Sequence, residues 1–215
     1  MEDIRKRLEA CYTGVVHDVM RGRGLRNFTF PQELRPLIDD QVLCGPAFTI
    51  EGHVDDTADP HQTLVEWTGL LSKAPAGHIW VSQPNDRTIA QMGELSAETL
   101  QAKGVLGCVI DGGIRDAGFL KRLGFQCWRR FHTPRDVVGR WLPSRIEVPV
   151  IIGDVVIDPG DFLLGDEDGM VRVPRGIADE VSKAAWEAMQ TENKVRTAIL
   201  AGQDPQAAYL QFGKF

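Results

Sequence analysis

Residues 105–111 (VLGCVID) form a short apolar run rich in β-branched side chains. Such a run suits a strand buried on both faces, as in a parallel sheet. Gly112-Gly113 follow and permit a tight turn, and Arg115-Asp116 open an amphipathic segment. Upstream, Glu94 and Ser96 open a helical segment at 96–103 (SAETLQAK), which Gly104 stops. Strand, helix and strand in this order imply a parallel crossover. A crossover brings Gly93-Glu94-Leu95 and Arg115-Asp116 to one sheet edge, where open α/β folds bind their ligands. Two carboxylates and a guanidinium there make a metal-assisted small-molecule site the first hypothesis.

A chain of 215 residues is most simply one domain, here residues 1–215. Its net charge of -6 argues against a nucleic-acid partner held by broad phosphate neutralisation. No apolar run approaches bilayer length, so no membrane partner is expected. The N-terminal MEDIRKRLEACY is charged and lacks the apolar core of a signal peptide, so the cytoplasm is the expected location. Cys11, Cys44, Cys108 and Cys127 form no CxxC pair, which argues against zinc. Cys108 and Cys127 fall in predicted strands and read as buried reduced thiols.

Along the chain, helices are expected at 2–11 and 14–21, the second capped by Thr13 and ended by the Gly22/Gly24 pair. Residues 25–38 read as loop. Residues 42–50 read as a strand interrupted by Gly45-Pro46, hence bent or at a sheet edge. The polar stretch 51–60 (EGHVDDTADP) reads as loop, 61–73 as helix and 78–82 as strand. A strand at 125–129 follows the crossover, and 131–145, with Pro134 and Pro143, reads as loop. Residues 146–173 alternate apolar runs with Gly-Asp and Pro-Gly-Asp turns, the pattern of successive short strands. A last helix spans about 177–201, with Ile177, Val181, Ala184, Ala188, Val195 and Ile199 near one face and Gly202 closing it. The fold class is α/β.

Gly45-Pro46-Ala47-Phe48-Thr49, Gly93-Glu94-Leu95, Asp111-Gly112-Gly113-Ile114-Arg115-Asp116, Pro159-Gly160-Asp161 and Gly165-Asp166-Glu167-Asp168-Gly169 occur in that order. As a set they resemble the family of 4-hydroxy-4-methyl-2-oxoglutarate aldolases and the regulator of ribonuclease activity A. The resemblance covers roughly residues 10–200, with a motif core at 42–173. It implies a compact single domain with a layered α/β/α swivelling β-core, assembled as a trimer or hexamer. The aldolases resemble one another in an acidic residue, twenty intervening residues and then Arg-Asp; the ribonuclease-inhibiting members lack the acidic residue. Glu94 fills that place here. The resemblance thus favours a class II pyruvate aldolase with oxaloacetate decarboxylase side activity, over a non-catalytic regulator of a ribonuclease or helicase. It also implies Mg²⁺ or Mn²⁺ and a small 2-oxo acid substrate.

Carbon–carbon cleavage next to a 2-oxo acid leaves an enolate whose charge needs a Schiff-base lysine or a metal ion. The crossover motif offers no lysine, whereas Asp116 is a hard oxygen ligand suited to Mg²⁺. By resemblance, Arg115 contacts the 2-oxo oxygen, and Glu94 acts through a metal-bound water as acid and base. The motif around Gly93, Leu95 and Ser96 binds the substrate carboxylate through backbone amides at a helix start. The resemblance also assigns Glu192 a weaker role, reaching the metal waters of a neighbouring subunit. Taken singly, each residue has a plainer reading: Asp116 as an N-cap, Arg115 as a surface ion-pair partner, Glu94 and Glu192 as solvated helical charges. His53 and His61 flank an acidic loop that reads as solvated and could line the pocket. Arg129, Arg130, Arg135 and Arg140 read as solvated or interface arginines, with a second substrate carboxylate as the alternative ligand. No HxH or HExxH pattern involves the histidines. A methyltransferase reading finds no glycine-rich nucleotide loop after a predicted strand.

Overall fold

A computed structural model describes residues 1–213. Two helices, α1 (Glu2–Glu9) and α2 (Thr13–Gly22), precede β1 (Arg35–Pro36) and the long β2 (Leu43–Val54). Helix and strand then alternate through α3 (Pro60–Lys73), β3 (Ile79–Gln83), β4 (Ala90–Met92), α4 (Glu94–Ala102), β5 (Gly107–Ile110), β6 (Gly113–Ile114), α5 (Ala117–Leu123), β7 (Cys127–Arg129) and β8 (Phe131–His132). The strands β9 (Trp141–Ile146), β10 (Val150–Ile152), β11 (Val155–Ile157), β12 (Phe162–Asp166) and β13 (Gly169–Val173) come next. Helices α6 (Ala178–Leu200) and α7 (Pro205–Phe212) follow.

The main sheet runs β1-β7-β5-β3-β2-β12-β13, with β9 also on β2. Strands β2, β3, β5 and β7 are mutually parallel, so the crossover inferred from sequence is present. The sheet nearly closes into a barrel. Thr29 bridges Val171 of β13, and six residues later Arg35 pairs with β7 at the opposite end. Side chains alternate across this wall. Leu43, Ala47, Ile79, Val81, Val109, Trp128, Leu163 and Met170 pack inside with the β10–β11 hairpin. Phe48, Ile50, Trp80, Cys108, Ile110 and Cys127 face outward into a core that includes Trp67, Leu70, Ala97, Leu100 and Leu120 from α3, α4 and α5. Cys44, Phe162, Leu164 and Val173 pack with buried residues of α1, α2 and α6. Burial on both faces explains the unbroken apolar composition of the parallel strands.

Several sequence expectations are corrected. The Gly45-Pro46 strand is central, flanked by β3 on one side and by β12 and then β9 on the other. Its proline falls where β2 passes from β12 to β3 and β9, so the missing N–H breaks no continuous ladder. Strand β2 extends to Val54, so only the rest of 51–60 is turn before Asp59 caps α3 by accepting from the Gln62 amide at 2.8 Å. The stretch 131–145 contains β8 and most of β9 rather than loop. Thr13 does not cap α2; its amide and hydroxyl both donate to Asp166, each at 2.7 Å. Helix α7 was not anticipated, although Asp204-Pro205 supplies its N-cap and first turn.

Candidate active site at the small parallel sheet

Strands β4, β6 and β8 form a second, three-stranded parallel sheet. Each follows its counterpart β3, β5 or β7 along the chain, so the small sheet extends the large one. The chain bends at Asp111-Gly112 as expected, although neither Gly112 nor Gly113 adopts a left-handed φ. Gly113 is needed for close approach instead: a Cβ would sit 2.5 Å from Phe131 Cε2 and 2.6 Å from the Ile89 carbonyl oxygen. The register pairs Met92 with Ile114, and the Arg115 amide donates to the Met92 carbonyl at 2.8 Å. The next residues on each strand, Gly93-Glu94 and Arg115-Asp116, are therefore neighbours.

Asp116 precedes α5 as its N-cap, with a left-handed φ of 54°. Its side chain makes no capping bond to α5. Oδ2 instead accepts from the Glu94 amide at 3.1 Å, at the start of α4, and lies 3.6 Å from Arg115 Nε. Aspartate tolerates this conformation better than most residues, and here it leaves the carboxylate free of its own helix. Gly93 leaves room for the arrangement: a Cβ there would lie 2.7 Å from Asp116 Oδ2 and 3.0 Å from Arg115 Nε. Arg115 Nη1 also donates to Asp136 Oδ2 at 3.0 Å.

These residues border a cavity of about 250 Å³, lined also by Trp67, Ala90, Gln91, Met92, Leu95, Ser96 and Val137. Helix α4 begins at its wall, and amides of a first helical turn lack intrahelical acceptors. The Glu94 amide is satisfied by Asp116, and Leu95 and Ser96 follow it along the cavity wall. Trp67 Nε1 donates to Ser96 Oγ at 3.0 Å. Gln91, one of the lining residues, is buried, and its Oε1 accepts a hydrogen bond from Ser82 Oγ.

The site thus gathers Glu94, Arg115 and Asp116, with Gly93, Leu95 and Ser96, as the sequence suggested. Glu192 stands apart. It lines a different cavity, of about 510 Å³, between α2 and α6 with Tyr12, Val15, His17 and Val195. Residues 51–60 and His61 do not line the Glu94–Asp116 cavity; His53 Nδ1 is 2.8 Å from Ser144 Oγ. Arg129, Arg130, Arg135 and Arg140 do not line it either. Arg129 bonds the carbonyls of Arg35 and Pro36 and donates to His132 Nε2 at 3.0 Å. Burial, aided by the Arg129 charge, lowers the His132 pKa. Arg130 pairs with Asp111, and Arg140 with Asp56. All four cysteines are buried and free, and burial raises the Cys108 thiol pKa well above its usual range. Asp136, Trp67 and Gln91 were not singled out from sequence: they reach the cavity from separate segments, and no spacing links them.

No group of three or more His, Cys, Asp or Glu side chains among the described residues could hold a metal ion unaided. That excludes an all-protein cage but fits Mg²⁺ or Mn²⁺, which are held by one or two carboxylates with water and substrate oxygens filling the other positions. The donor set suits that mode: Asp116 accepts one backbone hydrogen bond through Oδ2, and both it and Glu94 border the cavity.

The nearly closed sheet, flanking helices and edge site define a mixed α/β single domain. The chain belongs to the RraA-like family, Aldolase/RraA, whose pattern it matches over residues 13–172. It is 28% identical over 188 residues to a Halalkalibacterium halodurans protein named "Putative 4-hydroxy-4-methyl-2-oxoglutarate aldolase", covering 87% of this chain and 85% of that one. A Thermus thermophilus 4-hydroxy-4-methyl-2-oxoglutarate aldolase is 28% identical over 106 residues, 49% of this chain and 64% of the relative. Among solved structures, Streptomyces coelicolor RraAS2, described as an unusual member of the RNase ES inhibitor RraA protein family, superposes with a TM-score of 0.79. It is 25% identical and covers 91% of this chain and 96% of its own. No helix among the described residues is long and apolar enough to cross a membrane.

Proposed function

We propose that this protein is a divalent-metal-dependent carbon–carbon lyase that cleaves a 4-hydroxy-2-oxo acid to pyruvate and a carbonyl fragment. The observation that carries the reading is the Asp116 carboxylate, turned from its own helix toward the start of α4 and beside Arg115. The aldolase names of its relatives support it. In the reaction the 4-hydroxyl loses its proton, the C3–C4 bond breaks, and its electron pair passes into the pyruvate enolate. A proton returned to C3 completes pyruvate. A bound Mg²⁺ or Mn²⁺ supplies Lewis-acid stabilisation of the 2-oxo oxygen.

The chain's own residues divide the remaining work. The amides of Leu95 and Ser96 receive the substrate carboxylate. Arg115 points a fixed positive charge at the oxygen where negative charge develops, the kind of interaction that stabilises a transition state more than a ground state. Glu94 moves the proton between the 4-hydroxyl and C3 through an intervening water. Asp116 holds the cation. Oxaloacetate decarboxylation passes through the same enolate and would accompany the cleavage. Assembly as a homotrimer or hexamer would let Glu192 of one subunit reach the cavity of the next; within its own chain it lines a different one.

The decisive experiment screens 4-hydroxy-2-oxo acids and oxaloacetate with Mg²⁺ or Mn²⁺, following pyruvate with a coupled dehydrogenase. Metal-dependent pyruvate release, lost in a folded Asp116→Ala variant, is expected. Full activity in that variant would remove Asp116 from the mechanism. The second reading is a non-catalytic regulator that binds a ribonuclease or helicase, favoured by the likeness to RraAS2. Absence of metal-dependent pyruvate from folded protein would leave that reading standing.

A further inference from the structure

Asp136 has no part in the chemistry just described, yet it lines the cavity and bonds Arg115. We propose that Asp136 is a positioning residue that holds the Arg115 guanidinium in the orientation needed for the enolate oxygen; this inference rests on the lyase reading above. Asp136 lies in the segment between β8 and β9, and its Oδ2 accepts from Arg115 Nη1 at 3.0 Å. Its Oδ1 accepts from the Val138 amide at 3.2 Å, which fixes the carboxylate itself. The segment is tied down on both sides. The Ala90 amide of β4 donates to the Arg135 carbonyl at 2.7 Å, and the Gly139 amide donates to Thr63 Oγ1 of α3 at 3.0 Å. Val137, between them, is buried in the core under the outer helices.

Arg115 is therefore hydrogen-bonded at one end of a planar fork, with a second carboxylate near its other side. Asp136 takes Nη1, and Asp116 lies 3.6 Å from Nε. A guanidinium carries five N–H donors in one plane, so a bond at Nη1, with the Asp116 charge beside Nε, restricts where the remaining donors point. A free arginine samples many rotamers, and ordering it only at the transition state would cost rate. The half-exposed Arg115–Asp136 pair contributes little to stability. Its consequence lies in orientation, and removing it should leave the fold intact.

The test uses two ligands with the full-length protein and Mg²⁺: pyruvate, and oxalate, a planar dianion resembling the pyruvate enolate. Calorimetric binding is measured for wild type, Asp136→Ala, Asp136→Asn and Arg115→Ala, and for the Arg115→Ala/Asp136→Ala double variant. Asp136→Ala is expected to weaken oxalate by about tenfold while pyruvate weakens by less than about threefold. Asp136→Asn keeps an acceptor for Nη1 and should retain most of the oxalate affinity. In the Arg115→Ala background, Asp136→Ala should have no further effect, because the positioned group is gone. Equal losses for both ligands, unchanged oxalate binding, or the same added loss without Arg115 would overturn the role of Asp136 and leave the lyase reading intact. Wild type that binds neither ligand with Mg²⁺ or Mn²⁺ would overturn both.

Discussion

Two arginine–aspartate clusters, both within segments of the family pattern, differ in how far their bonding is saturated. At the end of the β12–β13 hairpin, Asp161 accepts from Arg172 Nε at 2.6 Å and from the amides of Asp158 and Arg175, each at 2.9 Å. Its side chain is 2% exposed, and that of Arg172 is 16% exposed. At the cavity, Arg115, Asp116 and Asp136 are 41%, 38% and 39% exposed, and the Arg115–Asp116 separation is 3.6 Å. The first cluster has little bonding capacity left and holds a turn together. The second retains capacity; both border cavities, so bonding rather than a neighbouring cavity separates them. The same residue types are closed where burial and backbone amides satisfy them, and keep bonding capacity where they stay exposed, as the proposed chemistry requires.

Breaking the closed cluster should have the largest effect. Asp161→Ala leaves Arg172 only its 3.5 Å pair with Asp158 and strips acceptors from two backbone amides; destabilisation of about 3–5 kcal/mol is expected by denaturant unfolding. Turnover per folded molecule should persist, and a specific loss of kcat with unchanged stability would erase the contrast. Arg115→Lys, in the open cluster, should do the reverse. An ammonium lacks the planar fork, so kcat should fall about 10²–10³-fold with a thermal midpoint close to wild type. Equal rates for the two proteins would assign Arg115 a structural role.

Gly93→Ala sharpens the comparison by space rather than charge. Its φ of -143° suits any residue, so any effect comes from the added Cβ, 2.7 Å from Asp116 Oδ2. Displacing that carboxylate should lower kcat/KM by about tenfold or more while the fold is kept. A fully active variant would show that the packing of Asp116 against Gly93 is irrelevant to the site. The smallest effect is expected for Ser96→Ala, which removes the acceptor of the Trp67 indole. Unfolding should show a loss of about 1 kcal/mol, and no loss would mean that the indole finds another partner.

Much of the parallel core was legible because its signal is local. Residues 105–111 lack polar alternation since both faces of β5 are covered, and Gly104 ends the preceding helix with a φ of 81°. The short strands of 146–173 were legible through the turns at Gly153 and Gly160, both left-handed. The central position of β2 was misjudged because Gly45-Pro46 suggests an edge, while the change of partner along the strand is a property of the whole sheet. Strands β6 and β8, of two residues each, are too short to carry a periodic signal. Asp136 was invisible for a similar reason: only the β8–β9 segment, anchored to β4 and α3, brings it to Arg115.

The amino-acid sequence by itself determined the α/β class, the parallel crossover and the chemical types at the sheet edge, because strand burial, helix stops and turn residues act over a few neighbours. Only the tertiary structure decided that Met92 pairs with Ile114, that the Asp116 side chain turns from its own helix to the Glu94 amide, and that Glu192 lines a different cavity. Those outcomes depend on register and packing between segments distant in the chain, which local preferences do not specify.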